Sequence, residues 1–131
     1  MSFKCVIVTP EQQVLDETVT EAIIPAHDGL IGIETNRAPL LVKLGIGQLR
    51  VDIASKGSKH FLIEGGVAQM KDNLLTILTQ KAVPATEIDA QSAKAELAEA
   101  QARRITDEKS FEDRQAAIQR SMTKQQLAGK S

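Results

Sequence analysis

The chain has 131 residues, 42% of them hydrophobic and 25% charged, with a formal net charge of −1. That is enough for one domain or a small domain with an appendage, and the balance argues for a folded chain rather than a disordered one. Near-neutrality excludes a globally basic nucleic-acid binder. Three Phe with no Trp or Tyr argue against base-stacking surfaces, and a lone cysteine, Cys5, leaves no internal disulfide and no Cys-based metal site. Every uncharged run is broken by Gly, Pro or polar residues, so no bilayer-crossing helix is expected. The chain begins directly in a strand-like pattern without the apolar core of a signal peptide, which predicts an intracellular protein.

Residues 3–9 read as a first strand, stopped by Pro10. Residues 13–16 and 19–24 follow, the latter closed by Pro25. His27-Asp28-Gly29 is a turn, since Asp-Gly supplies a positive φ at little cost. Residues 30–35 form the next strand, ended by Asn36 and Pro39. Residues 45–54 carry the cleanest signal: Leu49, Val51 and Ile53 alternate with Gln48, Arg50 and Asp52, the period of a half-buried antiparallel strand. A polar turn at 56–59 precedes strands at 61–63 and 67–70, broken by Gly65-Gly66. Lys71-Asp72-Asn73 turns into the last strand, 74–79. Short strands at this spacing predict an antiparallel β-sandwich or barrel.

After Pro84 the text changes. Residues 87–128 hold no Gly or Pro and are rich in helix formers. Thr86 reads as an N-cap with Asp89 at the third helical position, opening a helix over 88–105; Ser110 reads as the cap of a second helix over 111–127. Two helices joined by a short connector predict an antiparallel hairpin. Its seam is expected from Ile88, Leu97 and Ile105 against Phe111, Ile118, Met122 and Leu127. With so many Ala, it gains little from burial at about 25 cal/mol per Å² and needs something to dock on. Two domains are therefore expected, residues 1–84 and 87–131.

Charge is uneven within the helical part. Arg114, Arg120, Lys124 and Lys130 lie in a stretch without acids, while Glu87, Asp89, Glu96 and Glu99 face a single cation, Lys94. Arg120 and Lys124 are four apart and share a helix face, whereas Arg114 points elsewhere. Part of this simply complements the helix dipole.

Little in the chain reads as chemistry. His27 and His60 are isolated from other ligand types, Cys5 in its strand reads as a buried thiol, and no serine sits in a nucleophile elbow. The tail Gly129-Lys130-Ser131 mimics the end of a phosphate-binding loop but has Lys124 where that loop needs its first glycine. No cofactor, metal or catalytic residue is expected, and the residues by themselves predict a non-enzymatic interaction module.

Three stretches carry a resemblance. Gly29-Leu30-Ile31-Gly32-Ile33 with Arg37-Ala38-Pro39-Leu40-Leu41, then Phe61-Leu62-Ile63-Glu64-Gly65-Gly66-Val67, then Glu87-Ile88-Asp89 with Ala93-Lys94-Ala95, together resemble the epsilon subunit of F-type ATP synthases over nearly the whole chain. The resemblance implies a non-catalytic rotor subunit on the central stalk, bound to the gamma subunit and the c-subunit ring. It implies a role in coupling ion flow to ATP synthesis, and a hairpin that extends into the alpha/beta catalytic head and restrains hydrolysis. It places the protein peripherally on the cytoplasmic face of a bacterial membrane, attached only through the complex. His27, Asp28, Gly29 and Leu30 match the ring-facing turn, and Arg120 and Lys124, with Arg114 contributing less, become the expected head contact. The chain departs from the family at Thr35-Asn36-Arg37, where Pro-x-His is usual, and at Leu30, where an acid is common. It departs again at Ser92 and Val83, which stand where ATP-binding members carry an arginine and an acid. The alternative reading is a free-standing β-sandwich binding module that dimerises through its hairpin.

Overall fold

The computed structural model describes residues 1–129. Lys130 and Ser131, and with them the tail motif and the last cation of the basic run, lie outside the described residues. The strands are β1 (Phe3–Val8), β2 (Gln13–Ala26), β3 (Gly29–Glu34), β4 (Leu40–Ile53), β5 (Gly57–Lys71), β6 (Leu74–Leu78) and β7 (Ala82–Pro84). A 3-10 turn (Ala85–Glu87) leads into α1 (Ala90–Ala102) and α2 (Glu108–Leu127).

The sheet order is β1-β6-β5-β4-β2-β3. A further β1–β2 pairing closes the path on itself, and β7 is added beside β5. Each pairing is antiparallel except β1 with β6, which run parallel. That exception follows from closure: the first strand and one of the last meet only after the chain has gone round the sandwich, so no hairpin can join them. Inside, Phe3, Cys5 and Ile7 of β1 meet Leu49 and Val51 of β4 and Leu75 and Ile77 of β6, all buried. The alternation read in residues 49–53 faces this core as expected.

Three breaks expected in the sequence are instead passages inside longer strands, the first being residues 17 and 18, which lie within β2. β2 runs through Pro25 because the ladder to β4 shifts register between Ile23 and Ala26, where a missing N–H does no harm. Facing it is Gly47, where an added Cβ would stand 2.8 Å from the Pro25 Cβ. β5 runs through Gly65 and Gly66, which have φ of 74° and 109°. Any Cβ at Gly66 would overlap the Leu78 carbonyl oxygen, so the glycine is what lets β6 approach. β7, unread in the sequence, pairs Ala82, Val83 and Pro84 with Ile63, Leu62 and Phe61.

Phe61, Leu62 and Ile63 are all buried, although a sandwich strand normally shows one face to water. The hairpin explains it. Leu62 points out of the core and forms a separate cluster with Ala85 and Leu127.

Both helix starts are corrected. Asp89, not Thr86, caps α1, accepting from the Ser92 backbone N–H at 3.0 Å and the Ser92 hydroxyl at 2.8 Å. Thr86 is taken up by the 3-10 turn, after which Ile88 is extended. Asp107 caps α2, and Ser110 sits at the third helical position, closing a capping box by accepting from the Asp107 N–H. α1 stops at Ala102, short of the expected Ile105, because Arg103 is extended.

The seam is also corrected. Its buried members are small: Ala93 and Ala100 of α1, Ala117 and Ser121 of α2. Leu97 and Ile118 are only half-buried, while Ile105, Phe111 and Met122 are exposed. Helices that meet through Ala and Ser approach closely and leave no room between them for larger side chains.

Candidate interaction surfaces

The first surface is the outer face of β1, β6, β5 and β4. Register places Val8, Leu78, Val67 and Lys43 in one row across the strands, and Val6, Thr76, Gln69 and Leu41 in the next. Leu41 is 70% and Leu78 52% exposed, with Val67 and Leu74 also open to solvent. Apolar residues gathered on one side of a sheet, instead of scattered, mark a docking surface. Sequence reading missed it. A signal was present: in β6, Leu-Leu-Thr-Ile-Leu places leucines on the face opposite the core, where alternation calls for polar residues.

The second is the β2–β3 turn. Ala26 pairs with Gly29, leaving His27 and Asp28 as a two-residue loop. Gly29 supplies a φ of 143°, and the His27 N–H donates to the Lys43 carbonyl at 2.8 Å. His27, Asp28, Gly29 and Leu30 are all exposed at one end of the sandwich, and Leu30 is 71% exposed. The structure thus brings the four turn residues together.

The third is the hairpin, whose two sides differ sharply. Toward the sandwich, Leu127 packs on Leu62 and Ala85, and the Gln119 amide donates to the Ile46 carbonyl at 3.5 Å. Arg120 Nε lies 2.5 Å from Glu64 Oε1. Lys124 instead turns to α1, 3.0 Å from Glu96. Arg114 points elsewhere, as its spacing required, and donates to the Gln101 carbonyl at 3.0 Å. The side turned away from the sandwich carries exposed Phe111 and Met122 with half-buried Ile118 between them, spaced seven and four residues apart and so on one helix face. Arg120 lies nine residues after Phe111, about 180° around. The docked α2 therefore turns a mostly polar face inward and keeps an apolar stripe outside, the reverse of an ordinary surface helix.

The segment resembling the nucleotide motif is occupied by its own side chains. Hydrogen bonds from Ser92, first from its hydroxyl and then from its backbone N–H, hold the Asp89 carboxyl below the usual carboxylate range. A cleft of about 190 Å³ lies here, lined by Val83, Asp89, Ser92, Glu96 and Lys124 among others. It is smaller than ordinary ligand pockets and bears three carboxylates, Glu87, Asp89 and Glu96. Among the described residues no group of three or more His, Cys, Asp or Glu is placed to hold a metal, and no helix is long and apolar enough to cross a membrane. Burial pushes the Cys5 thiol up to about 12, so it stays protonated.

The geometry is that of a β-sandwich bearing a docked αα-hairpin, with its distinctive features on outer surfaces rather than in a cleft. Residues 2–85 match the family described as "ATP synthase, Delta/Epsilon chain, beta-sandwich domain". The ATP synthase epsilon chain of Syntrophobacter fumaroxidans is 37% identical over 130 residues, covering 98% of this chain and 96% of its own. That of Rhodopirellula baltica is 39% identical over 100 residues, covering 76% of this chain and 77% of its own. The fold matches a chain of the Euglena gracilis mitochondrial ATP synthase with a TM-score of 0.85 at 24% identity, covering 93% of this chain and 78% of that one. It also matches a chain of the Tetrahymena thermophila mitochondrial ATP synthase central stalk and c-ring, with a TM-score of 0.68 at 16% identity, covering 93% and 95%. The chain belongs to the ATP synthase delta/epsilon family and is similar to epsilon chains along nearly its whole length. It is accordingly a stalk and regulatory subunit, not the subunit that carries catalysis, and the free-standing binding module is set aside.

Proposed function

We propose that this chain works as two domains on the central stalk of an ATP synthase. The sandwich, residues 1–84, fixes it to the rotor, and the hairpin, residues 87–131, regulates hydrolysis. The observation that carries the reading is the apolar row of half-buried Val8 with exposed Leu78 and Val67, and exposed Leu41 beside it. Its occupant is the gamma subunit: a permanent rotor contact needs an apolar patch too large to leave in water. The turn His27-Asp28-Gly29-Leu30 projects from one end of the same sandwich and meets the polar loops of the c-ring, with Leu30 supplying apolar contact where family members often carry an acid. The complex sits at the cytoplasmic face of the bacterial membrane, and this chain reaches the membrane only through it.

The hairpin's two faces support a docked and an extended state. In the extended state Arg120 and Lys124, with Arg114 contributing less, meet an acidic surface of the alpha/beta head, and Phe111, Ile118 and Met122 find apolar cover. In the docked state Arg120 and Lys124 are held by Glu64 and Glu96 instead.

The test is co-purification with gamma after replacing Val67 and Leu78 by Lys, singly and together. Both side chains are exposed, so the fold should survive, and the double variant should lose gamma. Retention of gamma, or a symmetric dimer of this chain that the same substitutions dissolve, would overturn the assignment.

A further inference from the structure

We propose that Glu64, Arg120 and Lys81 form an exchange latch that sets how readily the hairpin leaves the sandwich; this rests on the two-state hairpin above and names what controls it. Glu64 lies on β5 immediately before the Gly65-Gly66 passage, and its side chain is only 14% exposed. One carboxylate oxygen, Oε1, takes Arg120 of α2 at 2.5 Å. The other, Oε2, is buried without a hydrogen-bond partner, and the Lys81 ammonium stands 4.0 Å from it. Lys81 comes from the link between β6 and β7, and its carbonyl already accepts from the Glu64 N–H at 3.2 Å. That link is tied to the sandwich rather than to the hairpin, because β7 pairs with β5.

A half-buried carboxylate needs a cation or hydrogen-bond donors in both states. Docked, it has Arg120. When α2 leaves, Arg120 goes with it, and Glu64 would be stranded but for Lys81, whose long flexible side chain is 59% exposed and poised just beyond contact. Arg120 and Lys81 thus address one carboxylate through its two oxygens: the first is available only when the hairpin is docked and favours docking, the second stays behind and lowers the cost of release. Little else large holds α2 down, because Leu127 is its only big apolar side chain in the docking cluster. The polar exchange therefore has leverage over the position of the whole hairpin.

The two cations are expected to act with opposite signs, which a merely structural ion pair would not do. Docking can be read in the isolated full chain by placing bimane on Gln48→Cys and a quencher at Gln126→Trp, two positions that line the same groove between β4 and α2. The chain has no Trp or Tyr of its own, and Cys5 is buried and protonated, so label and quencher are each unique. Glu64→Gln should raise the undocked-to-docked ratio about fivefold, since a neutral acceptor is roughly half as strong as a charged one. Arg120→Glu should raise it further, and Glu64→Arg combined with Arg120→Glu should restore much of the quenching. Lys81→Met should lower the ratio. Quenching unchanged in Glu64→Gln and Arg120→Glu, with circular dichroism showing both folded, would overturn the latch. So would a Lys81→Met effect of the same sign as Glu64→Gln. ATPase of the assembled complex is read separately. If docking responds and ATPase does not, the latch stands and the regulatory role of the hairpin falls.

Discussion

Leu127, at the last turn of α2, packs on Leu62 of β5, and neither side chain reaches solvent. The contact joins the end of the chain to the outer side of a strand whose inner side is already core. Fully burying a leucine contributes about 1.5–3 kcal/mol, comparable with what separates two states of a bistable element. Leu127→Ala should therefore free α2 without unfolding the sandwich. Hydrogen exchange should accelerate in α2 and at Leu62, while the β1 and β6 amides stay protected. Uniform loss of protection would show that the hairpin belongs to the main cooperative unit.

Deleting residues 87–131 should leave a folded sandwich, since the closed path of β1, β6, β5, β4 and β2 is complete without them. The structure adds a cost, because truncation bares Leu62 together with Val83 and Ala85. The truncated protein should show cooperative urea unfolding but poorer solubility, and Leu62→Thr should recover the solubility. Non-cooperative unfolding would contradict the division into two domains.

Gly65 and Gly66 adjoin in sequence yet should answer differently to alanine. At Gly65 a Cβ meets nothing within 4 Å, so only the positive φ matters, at about 1–3 kcal/mol. At Gly66 the same substitution meets the Leu78 backbone as well, and β6 must shift. Urea midpoints should place Gly66→Ala well below Gly65→Ala, with the Gly66 variant at risk of losing the fold. Equal midpoints would mean that β6 is free to move aside.

ATP should bind the isolated chain weakly or not at all. Ser92 offers no cation, and losing one charged hydrogen bond costs about 1.5–3 kcal/mol. Val83 removes a further polar group and is already packed against the Leu62 cluster. Together these amount to two or more orders of magnitude at about 1.4 kcal/mol per tenfold. Micromolar binding in titration calorimetry would refute this.

The helix caps predict an acid-sensitive hairpin. Asp107 is held below the usual carboxylate range, first by the Ser110 backbone N–H and then by its side chain, and Asp89 is lowered by Ser92, first through its hydroxyl and then through its backbone N–H. A carboxylate depressed in the folded state stabilises it above its unfolded pKa, and the effect is lost as pH falls through the folded value. The helical signal in circular dichroism should therefore decline as pH falls below the ordinary carboxylate range, ahead of the sandwich. Asn at positions 89 and 107 should flatten that decline.

Much of the architecture was legible from local pattern. The period-two run at residues 49–53, the turn at His27-Asp28-Gly29 and the change to Gly- and Pro-free text after Pro84 each report a backbone preference that acts within a few residues. Those local forces do not reach across the fold. Pro25 and Gly65-Gly66 look like strand ends locally, but they lie inside strands because Gly47 and Leu78 are brought opposite them. Thr86 and Ser110 are sound caps by their own chemistry, yet Asp89 and Asp107 displaced them once β7 and the 3-10 turn had taken up the residues before α1 and Arg103 had ended it. The turn His27–Leu30 could be named from sequence because a turn is contiguous. The outer face of Val8, Leu78, Val67 and Leu41 could not, because its members come from four strands and only register aligns them. Arg120 and Lys124 could be placed on one helix face by spacing alone. That Arg120 reaches Glu64 on the sandwich while Lys124 reaches Glu96 on the neighbouring helix was decided by how the hairpin docks, through contacts between residues far apart in the chain.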